Sequence, residues 1–593
     1  MKPIIDPRDG DVDDDASSTK QRSLFSLAGT LFAEISFAKL IFAWALLIGL
    51  PGVFLGAAPL ISSIWLAEVS SHTVRLVAGL WSLLLLLLLV AAAWFGGRPL
   101  LRLVENSFWS LNALAVQPGY VLCRETVRHL IEMLLPAGMT DERRSQVRAL
   151  SAALAGLLIA ALALCLVAWA WPSTRWVGTM GDLASPFRLA VSALSNSVVL
   201  VSGYLAAAAL VWGIADASMP QPRDRASPAA TPVEGTSWRV AHLSDIHVVG
   251  ERYGFRIESG RSGPRGNERL GQVFARLSRI HADKPLHAVL ITGDITDAGR
   301  SAEWAEFLDA LAPYPELRER LLILPGNHDL NIVDRANPAR FDLPTSPNQR
   351  LRQIRMLSAM EAVQGARVRL VNHGQGRLGG TLSEALAPHR ADIAAFADRG
   401  HLRLSMRLAD RWAASFPMVV PPADDDGLGI ILLDSNVEAH FSFTNALGMV
   451  SVEQSKAVET ITGLYPRAVW IVALHHHVVE YPKRAKALPE RIGTALINGS
   501  WFARRLQGLA GRVVVMHGHR HIDWIGECGG VTLVSAPSPV MEATDDQETC
   551  FYVHTLTATP DGRLELMAPE RIGIAGRAAS DVVAPACPSP VSR

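Results

Sequence analysis

Aspartate and histidine residues that could bind a metal follow an apolar segment of this chain at residues 238–243. Asp245 and His247 stand two residues apart just beyond that segment. Side chains at positions i and i+2 of an extended chain point to the same side, so both could reach one cation. A carboxylate oxygen together with an imidazole nitrogen suits Mn, Fe or Zn better than Ca or Mg. A single pair of this kind is commonly a surface pair, so a metal site needs ligands from elsewhere in the chain.

Four later apolar segments end in the same way, at residues 286–291, 321–324, 468–474 and 512–516. The motifs that follow them are Gly293-Asp294-Ile295-Thr296-Asp297, Pro325-Gly326-Asn327-His328-Asp329, His475-His476-His477 and His517-Gly518-His519-Arg520-His521. We interpret the five segments as strands. Apolar residues recur at helical spacing at residues 267–282 and 301–311, which predicts a helix in each of these connections. Ligands in open α/β sheets bind outside the carboxyl ends of the strands, so the five clusters are expected to meet at one edge.

These five motifs, in this order, resemble the calcineurin-like metallophosphoesterase family, whose pattern is D-x-H, G-D-x-x-D, G-N-H-D/E, a histidine after a strand, and G-H-x-H. The resemblance covers roughly residues 238–574. It implies an α/β fold, a four-layer αββα sandwich. It also implies a metal-dependent hydrolase that cleaves a phosphodiester or phosphomonoester by attack of a water bound to two divalent metal ions, with Mn, Fe or Zn expected.

The same resemblance implies a role for each motif residue. One metal would be bound by Asp245, His247 and His521, the second by Asn327, His475 and His519, and Asp294 would bridge the two. The catalytic pair would be His328, facing the substrate as a proton donor or charge stabiliser, and Asp329, orienting it. Family members often have His-His-Pro where this chain has His475-His476-His477. The first histidine after the strand is our choice of ligand, and His476 stays open as the alternative.

The first 215 residues contain four long apolar stretches, at residues 40–60, 74–95, 149–171 and 189–215. Each is long enough to cross a bilayer core of about 30 Å as a helix. The segment 96–148 holds seven arginines, whereas residues 61–73 hold no Lys or Arg and residues 172–188 hold two. The positive-inside rule then places the segment 96–148 in the cytoplasm. With four spans, both termini share that side, which predicts a multi-pass protein of the inner or plasma membrane with a cytoplasmic enzyme domain.

Composition predicts the remaining boundaries. We expect a disordered acidic N-terminus at residues 1–37, a membrane domain at 38–215, a Pro-rich linker at 216–236, the phosphoesterase domain at 237–574 and a disordered tail at 575–593. Within the enzyme domain, an Arg-rich insertion is expected at about residues 334–420, with 13 Arg and no Lys. Its arginines suit a lid over an anionic substrate or a face on acidic lipid, and ordinary solvated helices explain them equally well.

The expected partners are a phosphoester substrate and the lipid bilayer. A formal net charge of zero argues against nucleic acid as the main partner, because proteins that bind it carry basic surfaces. Five cysteines without a pattern indicate free thiols in a reducing compartment. Two alternatives to a general phosphoesterase stay open. They are a hydrolase acting on a lipid-linked phosphate and a non-catalytic sensor that keeps the fold.

Overall fold

The computed structural model describes residues 3–11, 45, 49–76, 117–134, 141–225, 235–253, 267–331, 333, 347–372, 374–439, 445–482, 496–540 and 548–574. The chain divides into two compact units. One, which we call the α/β unit, comprises Met1–Glu34, Pro222–Arg484 and Gly493–Arg593. The other, the helical unit, comprises Ile35–Gln221 and Ala485–Ile492.

The helical unit contains α1 (Leu50–Leu76), α2 (Gln117–Leu134), α3 (Asp141–Ala170), α4 (Met180–Leu183) and α5 (Pro186–Ala217). Among the described residues, three stretches are long and apolar enough to cross a membrane. They are Leu50–Ser70, Gln146–Ser173 and Pro186–Ala217. The last two coincide with predicted spans, and most of the predicted span 74–95 lies outside the described residues.

The loop predicted after the first span is helical in the structure. We expected a span at residues 40–60 and a loop at residues 61–73, but α1 runs from Leu50 to Leu76 and includes that loop. The reason is local, because Pro59 is followed by no further proline or glycine before the helix ends. Of residues 40–48, the structure describes only residue 45.

Small residues let the long helices of this unit approach closely. A Cβ on Gly56 of α1 would lie 1.7 Å from the carbonyl oxygen of Ala193 in α5. A Cβ on Gly156 of α3 would lie 2.7 Å from the carbonyl oxygen of Ala209. Close backbone approach at small residues is how helices associate in membranes, where no hydrophobic effect draws them together.

The α/β unit is built from two sheets. Its strands are β1 (Arg223–Asp224), β2 (Thr236–Leu243), β3 (Ala288–Ile291), β4 (Leu321–Ile323), β5 (Arg369–Asn372), β6 (Arg377–Thr381), β7 (Met418–Val420), β8 (Leu428–Leu432), β9 (Val469–Ala473), β10 (Val513–His517), β11 (Trp524–Cys528), β12 (Val531–Ser535), β13 (Thr549–Ala558), β14 (Leu564–Leu566) and β15 (Glu570–Ile574). The six-stranded sheet has the order β14-β13-β2-β3-β4, with β15 paired to β13, and the nine-stranded sheet has the order β1-β11-β12-β10-β9-β8-β7-β5-β6. All five predicted strands that precede motifs are present.

The helices of this unit fill the connections between strands. They are α6 (Glu268–Asp283), α7 (Ser301–Leu311), α8 (Pro315–Arg318), α9 (Asn327–Leu330), α10 (Pro347–Gln364), α11 (Leu382–Leu386), α12 (Arg390–Arg399), α13 (Leu402–Arg407), α14 (Ala409–Ala414), α15 (Val452–Leu464) and α16 (Gly499–Leu506). Both helices predicted between the first three strands are found, as α6 and α7.

One hydrophobic core joins the two sheets. It contains Leu243 and Leu290 from the six-stranded sheet and Ile471 and Met516 from the nine-stranded sheet. Alternate side chains of a strand face opposite sides of its sheet, and Trp470 of β9 accordingly contacts Tyr465 outside this core. Helices α6, α7 and α10 also contribute to the core. The predicted layered α/β architecture is therefore confirmed.

The structure corrects the predicted boundaries at three places. Residues 3–11 are ordered against the α/β unit, with Ile5 in its core, rather than being part of a disordered segment. Within the predicted linker, α5 continues to Ala217 and Arg223–Asp224 pairs with β11. The predicted insertion is not separate from the fold, because β5, β6 and β7 extend the nine-stranded sheet. Residues 334–346 and 575–593 lie outside the described part of the chain.

Strand pairing between β8 and β9 leaves no room for a side chain at Gly429. A Cβ there would lie 2.3 Å from the ring of Trp470, which is fully buried. We expect Gly429→Ala to destabilise the α/β unit by about 1–3 kcal/mol through overpacking. Thermal unfolding of the full chain in detergent, followed by tryptophan fluorescence, measures the effect.

Gly271 is a matched control, since a Cβ on this exposed glycine of α6 would meet nothing within 4 Å. Gly271→Ala is expected to raise stability by about 0.5–1 kcal/mol. Equal unfolding temperatures for the two variants would contradict the strand pairing described here.

Candidate metal centre

The residues predicted as metal ligands adopt an unusual backbone conformation. Among the described non-glycine residues, five have positive φ, and all five are predicted ligands: Asp245 (55°), His247 (49°), Asp294 (50°), His519 (77°) and His521 (51°). Asp and His tolerate this left-handed region better than most residues, but strained residues cost about 1–3 kcal/mol each and cluster at functional sites. The turns after β2, β3 and β10 therefore adopt a strained backbone conformation that orients these side chains, although an unstrained turn could connect the same elements.

The first group of side chains comes from the turns after β2 and β10. Asp245, His247 and His521 bring their ligand atoms within 4.8 Å of one another. The Nε2 atoms of His247 and His521 are 3.4 Å apart, and His521 Nε2 is 3.3 Å from Oδ1 of Asp245. The other carboxylate oxygen of Asp245 accepts a 2.9 Å hydrogen bond from the backbone N–H of His519. This bond ties the two turns together and leaves Oδ1 for a cation.

The second group comes from the turns after β3, β4, β9 and β10. Nε2 of His475 lies 3.1 Å from Oδ1 of Asn327, 3.0 Å from Nδ1 of His519 and 3.4 Å from Oδ2 of Asp294. Nδ1 of His475 lies 2.8 Å from the carbonyl oxygen of Thr292. That nitrogen therefore carries the proton, and the Nε2 lone pair points at the other three ligand atoms.

Asp294 lies between the two groups. Its Oδ2 is 3.4 Å from His475 Nε2 in the second group and 3.7 Å from His247 Nε2 in the first. Its Oδ1 accepts a 2.8 Å hydrogen bond from the backbone N–H of His328, which fixes the plane of the carboxylate. This is the position that a bridging ligand requires. Burial alone would raise the pKa of Asp294, but His475 and then His328 hold it well below its usual range.

The donor set fits two divalent cations. Ligands about 2.0–2.2 Å from one small cation are necessarily about 3.0–3.5 Å apart, the spacing observed in both groups. Burial lowers the pKa of His519 well below its ordinary value, and His476 and His475 lower it further, so this ring is kept in the neutral form that binds metals. Nδ1 of His475 donates a hydrogen bond to a backbone carbonyl, as is usual for metal-binding histidines. Carboxylate, amide and imidazole donors together suit Mn, Fe or Zn.

Two glycines allow the turns to come this close. A Cβ on Gly326, just before Asn327, would lie 2.1 Å from Oδ1 of Asp294. A Cβ on Gly518, just before His519, would lie 1.8 Å from Oγ of Ser244. The glycines of these two motifs are therefore required by packing between turns.

His328 stands beside the first group, with its ring in edge contact with His247 at 4.5 Å between centroids. Its Nδ1 lies 2.7 Å from the carbonyl oxygen of Asp297 and donates to it, which leaves Nε2 for proton transfer. This contact corrects the role predicted for Asp329. Neighbouring residues of a helical turn do not face each other, and Asp297 rather than Asp329 orients the ring.

Asp329 instead joins the turns after β3 and β4. Its carboxylate accepts hydrogen bonds from the backbone N–H groups of Ile295, Thr296 and Gly326 at 3.3, 2.9 and 2.9 Å, and from Oγ1 of Thr296 at 2.7 Å. Burial raises the pKa of Asp329 to about 6, and Asp294 contributes to the rise. Asp297 lies behind His247, with 3.8 Å between Oδ1 and the ring Nδ1.

The structure separates the histidines of the triple motif. His475 reaches the ligand group, whereas His476 turns away and places Nδ1 2.9 Å from Oγ of Ser435. His477 stacks on the ring of His519, with centroids 6.0 Å apart, and contacts Glu480 at 3.2 Å. His517 is buried in β10, and its pKa falls to about 3 through burial and then His477. His476 is thus not placed as the alternative ligand.

Sequence reasoning missed several residues that hold the site together. The carbonyl of Thr292 orients His475, and Oγ of Ser538 donates a 2.7 Å hydrogen bond to the carbonyl oxygen of Asp245. Backbone acceptors carry no side-chain signal, and Ser538 lies in an ordinary loop after β12. Only the periodicity of the flanking strands could have pointed to these positions.

Three arginines of the described part of the predicted insertion cross-link the α/β unit. Nε of Arg352 donates to the carbonyl of Leu330 at 2.7 Å, and Nη2 of Arg367 donates to the carbonyl of Arg318 at 3.0 Å. Arg390 pairs with Glu361 at 2.9 Å. These contacts favour structural roles over a substrate lid or a lipid-binding face.

Comparison with known proteins agrees with this geometry. Residues 239–381 match the family model of calcineurin-like phosphoesterases. No curated protein matches the chain.

Two solved structures match part of the chain at low similarity. One, from Staphylococcus aureus, is described as a 5′-nucleotidase in complex with α-ketoglutarate. It shows 12% identity and a TM-score of 0.30, and the match covers 58% of this chain but only 55% of that chain. The other is a dimetal phosphatase from Danio rerio, with 12% identity and a TM-score of 0.32 over 57% of this chain and 99% of that chain. Neither likeness is strong enough to carry an argument about function.

The family match begins in β2 and ends in β6, and it includes the D-x-H, G-D-x-x-D and G-N-H-D motifs. The two later motifs lie outside the match, but the structure brings His475, His519 and His521 to the same place as Asp245 and Asp294. We therefore conclude that this chain contains a calcineurin-like phosphoesterase domain, which the family model matches over residues 239–381.

Proposed function

We propose that this protein is a membrane-anchored phosphoesterase that hydrolyses a phosphodiester or a phosphomonoester with two divalent metal ions. The observation that carries the proposal is the position of Asp294 Oδ2 between two groups of ligand atoms. Two cations held there would lower the pKa of a bound water and neutralise charge on the phosphoryl oxygens.

The protein side chains supply binding, orientation and a proton. The only carboxylates in the predicted ligand set are Asp245 and Asp294, and Asn327 adds a neutral oxygen, so a site loaded with two divalent ions keeps a net positive charge that attracts phosphate. His328, oriented by Asp297, has Nε2 available to donate a proton to the leaving oxygen. His328 and the ligands apart from His521 are buried, which strengthens their electrostatic effect on the substrate.

Two contacts support placing this domain on the same side of the membrane as the chain's N-terminus and its Arg-rich segment. Residues 3–11 pack into the unit formed by the residues that follow the spans, so an even number of crossings separates them. Three candidate spans are described, and the predicted span 74–95 would supply the fourth. Within the helical unit, Arg124 Nη1 lies 2.6 Å from Asp216 at the end of α5, so the segment 96–148 and the exit from α5 share a side. By the positive-inside rule, that side is the cytoplasm.

Activity should depend on the metal ligands. With the full chain in detergent and Mn added, we expect turnover of bis(p-nitrophenyl) phosphate or p-nitrophenyl phosphate that disappears with a chelator. Asn327→Ala should lower it by about 100-fold or more and reduce the metals bound per chain, as measured by mass spectrometry. Asn372→Ala, an exposed residue of β5, is the control and should change neither quantity.

The outcome also separates the candidate functions. Cleavage of the diester favours a phosphodiesterase, and cleavage of the monoester alone favours a phosphatase. Two metals bound per chain without turnover of either compound would reject a general phosphoesterase, and a lipid-linked phosphate in vesicles becomes the next substrate to test. The three candidate membrane helices make that substrate class the second candidate.

His328 should act on the leaving group rather than on metal binding. We expect His328→Ala to lower kcat by about 10²–10⁴-fold while metal content stays unchanged. The loss should be larger for an alkyl phosphoester than for a p-nitrophenyl ester, because the poorer leaving group needs the proton more. Equal losses for both esters would reject the proton-donor role, and His389→Ala, on a short helical turn elsewhere in the α/β unit, serves as the matched control.

Orientation can be tested by thiol labelling in intact cells. Val177, between α3 and α4, and Asp425, in the α/β unit, are both exposed. We expect a membrane-impermeant maleimide to label Val177→Cys in intact cells and to label Asp425→Cys only after permeabilisation. The unaltered chain gives the background from native cysteines, and labelling of both variants in intact cells would reverse the proposed topology.

A further inference from the structure

The first described residues of the chain lie in a groove of the α/β unit between α7 and α10. Pro3, Ile5 and Pro7 are buried, and the residues between them are partly exposed. One face of residues 3–7 therefore lies against the domain, and Pro7–Asp9 form a 3-10 turn that follows it. The groove is lined by Ser301, Trp304 and Leu308 of α7 and by Arg355 and Ala359 of α10.

Polar contacts fix the register of this segment. The backbone N–H of Ile5 donates a 2.8 Å hydrogen bond to Oγ of Ser358 in α10. Arg8 pairs with Asp309 at the end of α7 and with Asp6 in its own turn. Ile5 belongs to the main hydrophobic core. The segment is therefore bound by side-chain pockets and by a specific set of hydrogen bonds.

Asp11 makes the most deeply buried contact of the segment. It is fully buried, and its two carboxylate oxygens accept hydrogen bonds from Nε and Nη2 of Arg355. Oγ of Ser301 donates a third hydrogen bond to Asp11, at 3.0 Å. Paired planar contacts of this kind orient the guanidinium as well as neutralising it.

Through Arg355, Asp11 reaches the turn that carries Asp297. Nη1 of Arg355 donates a 2.9 Å hydrogen bond to the carbonyl oxygen of Gly299. Two residues earlier in the same turn, the carbonyl of Asp297 accepts the bond from Nδ1 of His328. The turn has little room on its other side, because a Cβ on Gly299 would lie 2.4 Å from the carbonyl oxygen of Asp329. A shift of Arg355 would therefore move the group that orients His328.

We propose that the groove between α7 and α10 is a peptide-binding site for the chain's own residues 3–11, and that Asp11 is a positioning residue for His328. When the segment is bound, the turn at residues 297–301 is held and the ring of His328 is oriented. When it leaves, Arg355 loses its partner and the turn loosens. The effect on turnover rests on the proposed function, whereas binding of the segment does not.

The binding step is tested with the full chain lacking residues 2–11 and a fluorescently labelled peptide of residues 1–12. Anisotropy should show saturable binding, and Asp11→Asn in the peptide should weaken it about tenfold or more, because a buried charge pair loses one partner. Asp9→Asn is the matched control, since Asp9 is exposed on the same segment, and it should bind like the native peptide. Absence of binding, or equal affinity for all three peptides, would overturn the proposal.

The positioning step has a readout that needs no activity. In the full chain, Asp11→Asn should speed amide hydrogen exchange at residues 296–301 and leave exchange in β10 unchanged, while Asp9→Asn should alter neither. Unchanged exchange at residues 296–301 would refute the link from Asp11 to the turn.

Turnover then completes the test. Asp11→Asn should lower kcat with little change in KM, and adding the native peptide to the shortened chain should restore kcat. Peptide binding without recovery of kcat would show a groove that does not position His328. If the native full chain has no phosphoesterase turnover at all, the proposed function fails, while the binding and exchange results still decide the groove and the link to the turn.

Discussion

Burial of metal-binding groups is the constraint on which the α/β unit depends. Asp245, Asp294, Asn327, His475 and His519 are all buried, and a buried charge or lone pair without a partner is costly. Backbone hydrogen bonds offset part of this cost. The carbonyl of Thr292 accepts one from His475, and the N–H group of His519 donates one to Asp245. The remaining lone pairs converge at spacings that a pair of divalent cations satisfies. The site is therefore stable as a whole only when the turns that carry it are held rigidly.

The two sheets provide that rigidity. β2, β3 and β4 are parallel neighbours in one sheet, and β8, β9 and β10 are parallel neighbours in the other. The two sheets pack against each other through a shared hydrophobic core, so the carboxyl ends of these two groups of parallel strands meet at the same edge. The left-handed residues at these ends are strained individually, and the surrounding packing holds them in position. Asp329 strengthens this arrangement by bonding to two different turns at once.

In the helical unit, buried charged groups are neutralised by ion pairs between side chains. Arg124 pairs with Asp216, and Arg128 pairs with Glu132 at 3.1 Å, so that α2 contributes charge to its buried side. On its other side α2 exposes Leu122, Leu130 and Met133, which is the reverse of a helix on a water-soluble protein. The pair of Arg124 and Asp216 also links the Arg-rich segment 96–148 to the end of α5.

The chain's sequence by itself predicted the five strands that precede the motifs and the Asp, Asn and His residues that follow them. Apolar runs of strand length followed by Asp, Asn or His at fixed spacing are local features. Such features can be recognised from the sequence alone, because they involve only residues that are neighbours in the chain. Length and hydropathy likewise predicted long apolar helices at residues 149–171 and 189–215, and the structure has candidate membrane spans at Gln146–Ser173 and Pro186–Ala217. The end of the first span was misplaced, because apolar residues continue beyond residue 60 and give no local signal for where the helix ends.

Only the tertiary structure decided which neighbour each polar group meets. It placed His475 rather than His476 among the ligands, gave the orientation of His328 to the carbonyl of Asp297, and assigned Asp329 to holding the turns. It also ordered residues 3–11 of the predicted acidic segment, because Arg355, more than 300 residues away, neutralises Asp11. Composition reports how many charges a segment carries. Whether those charges are solvated or paired depends on contacts between residues far apart in the chain, and these exist only once the chain has folded.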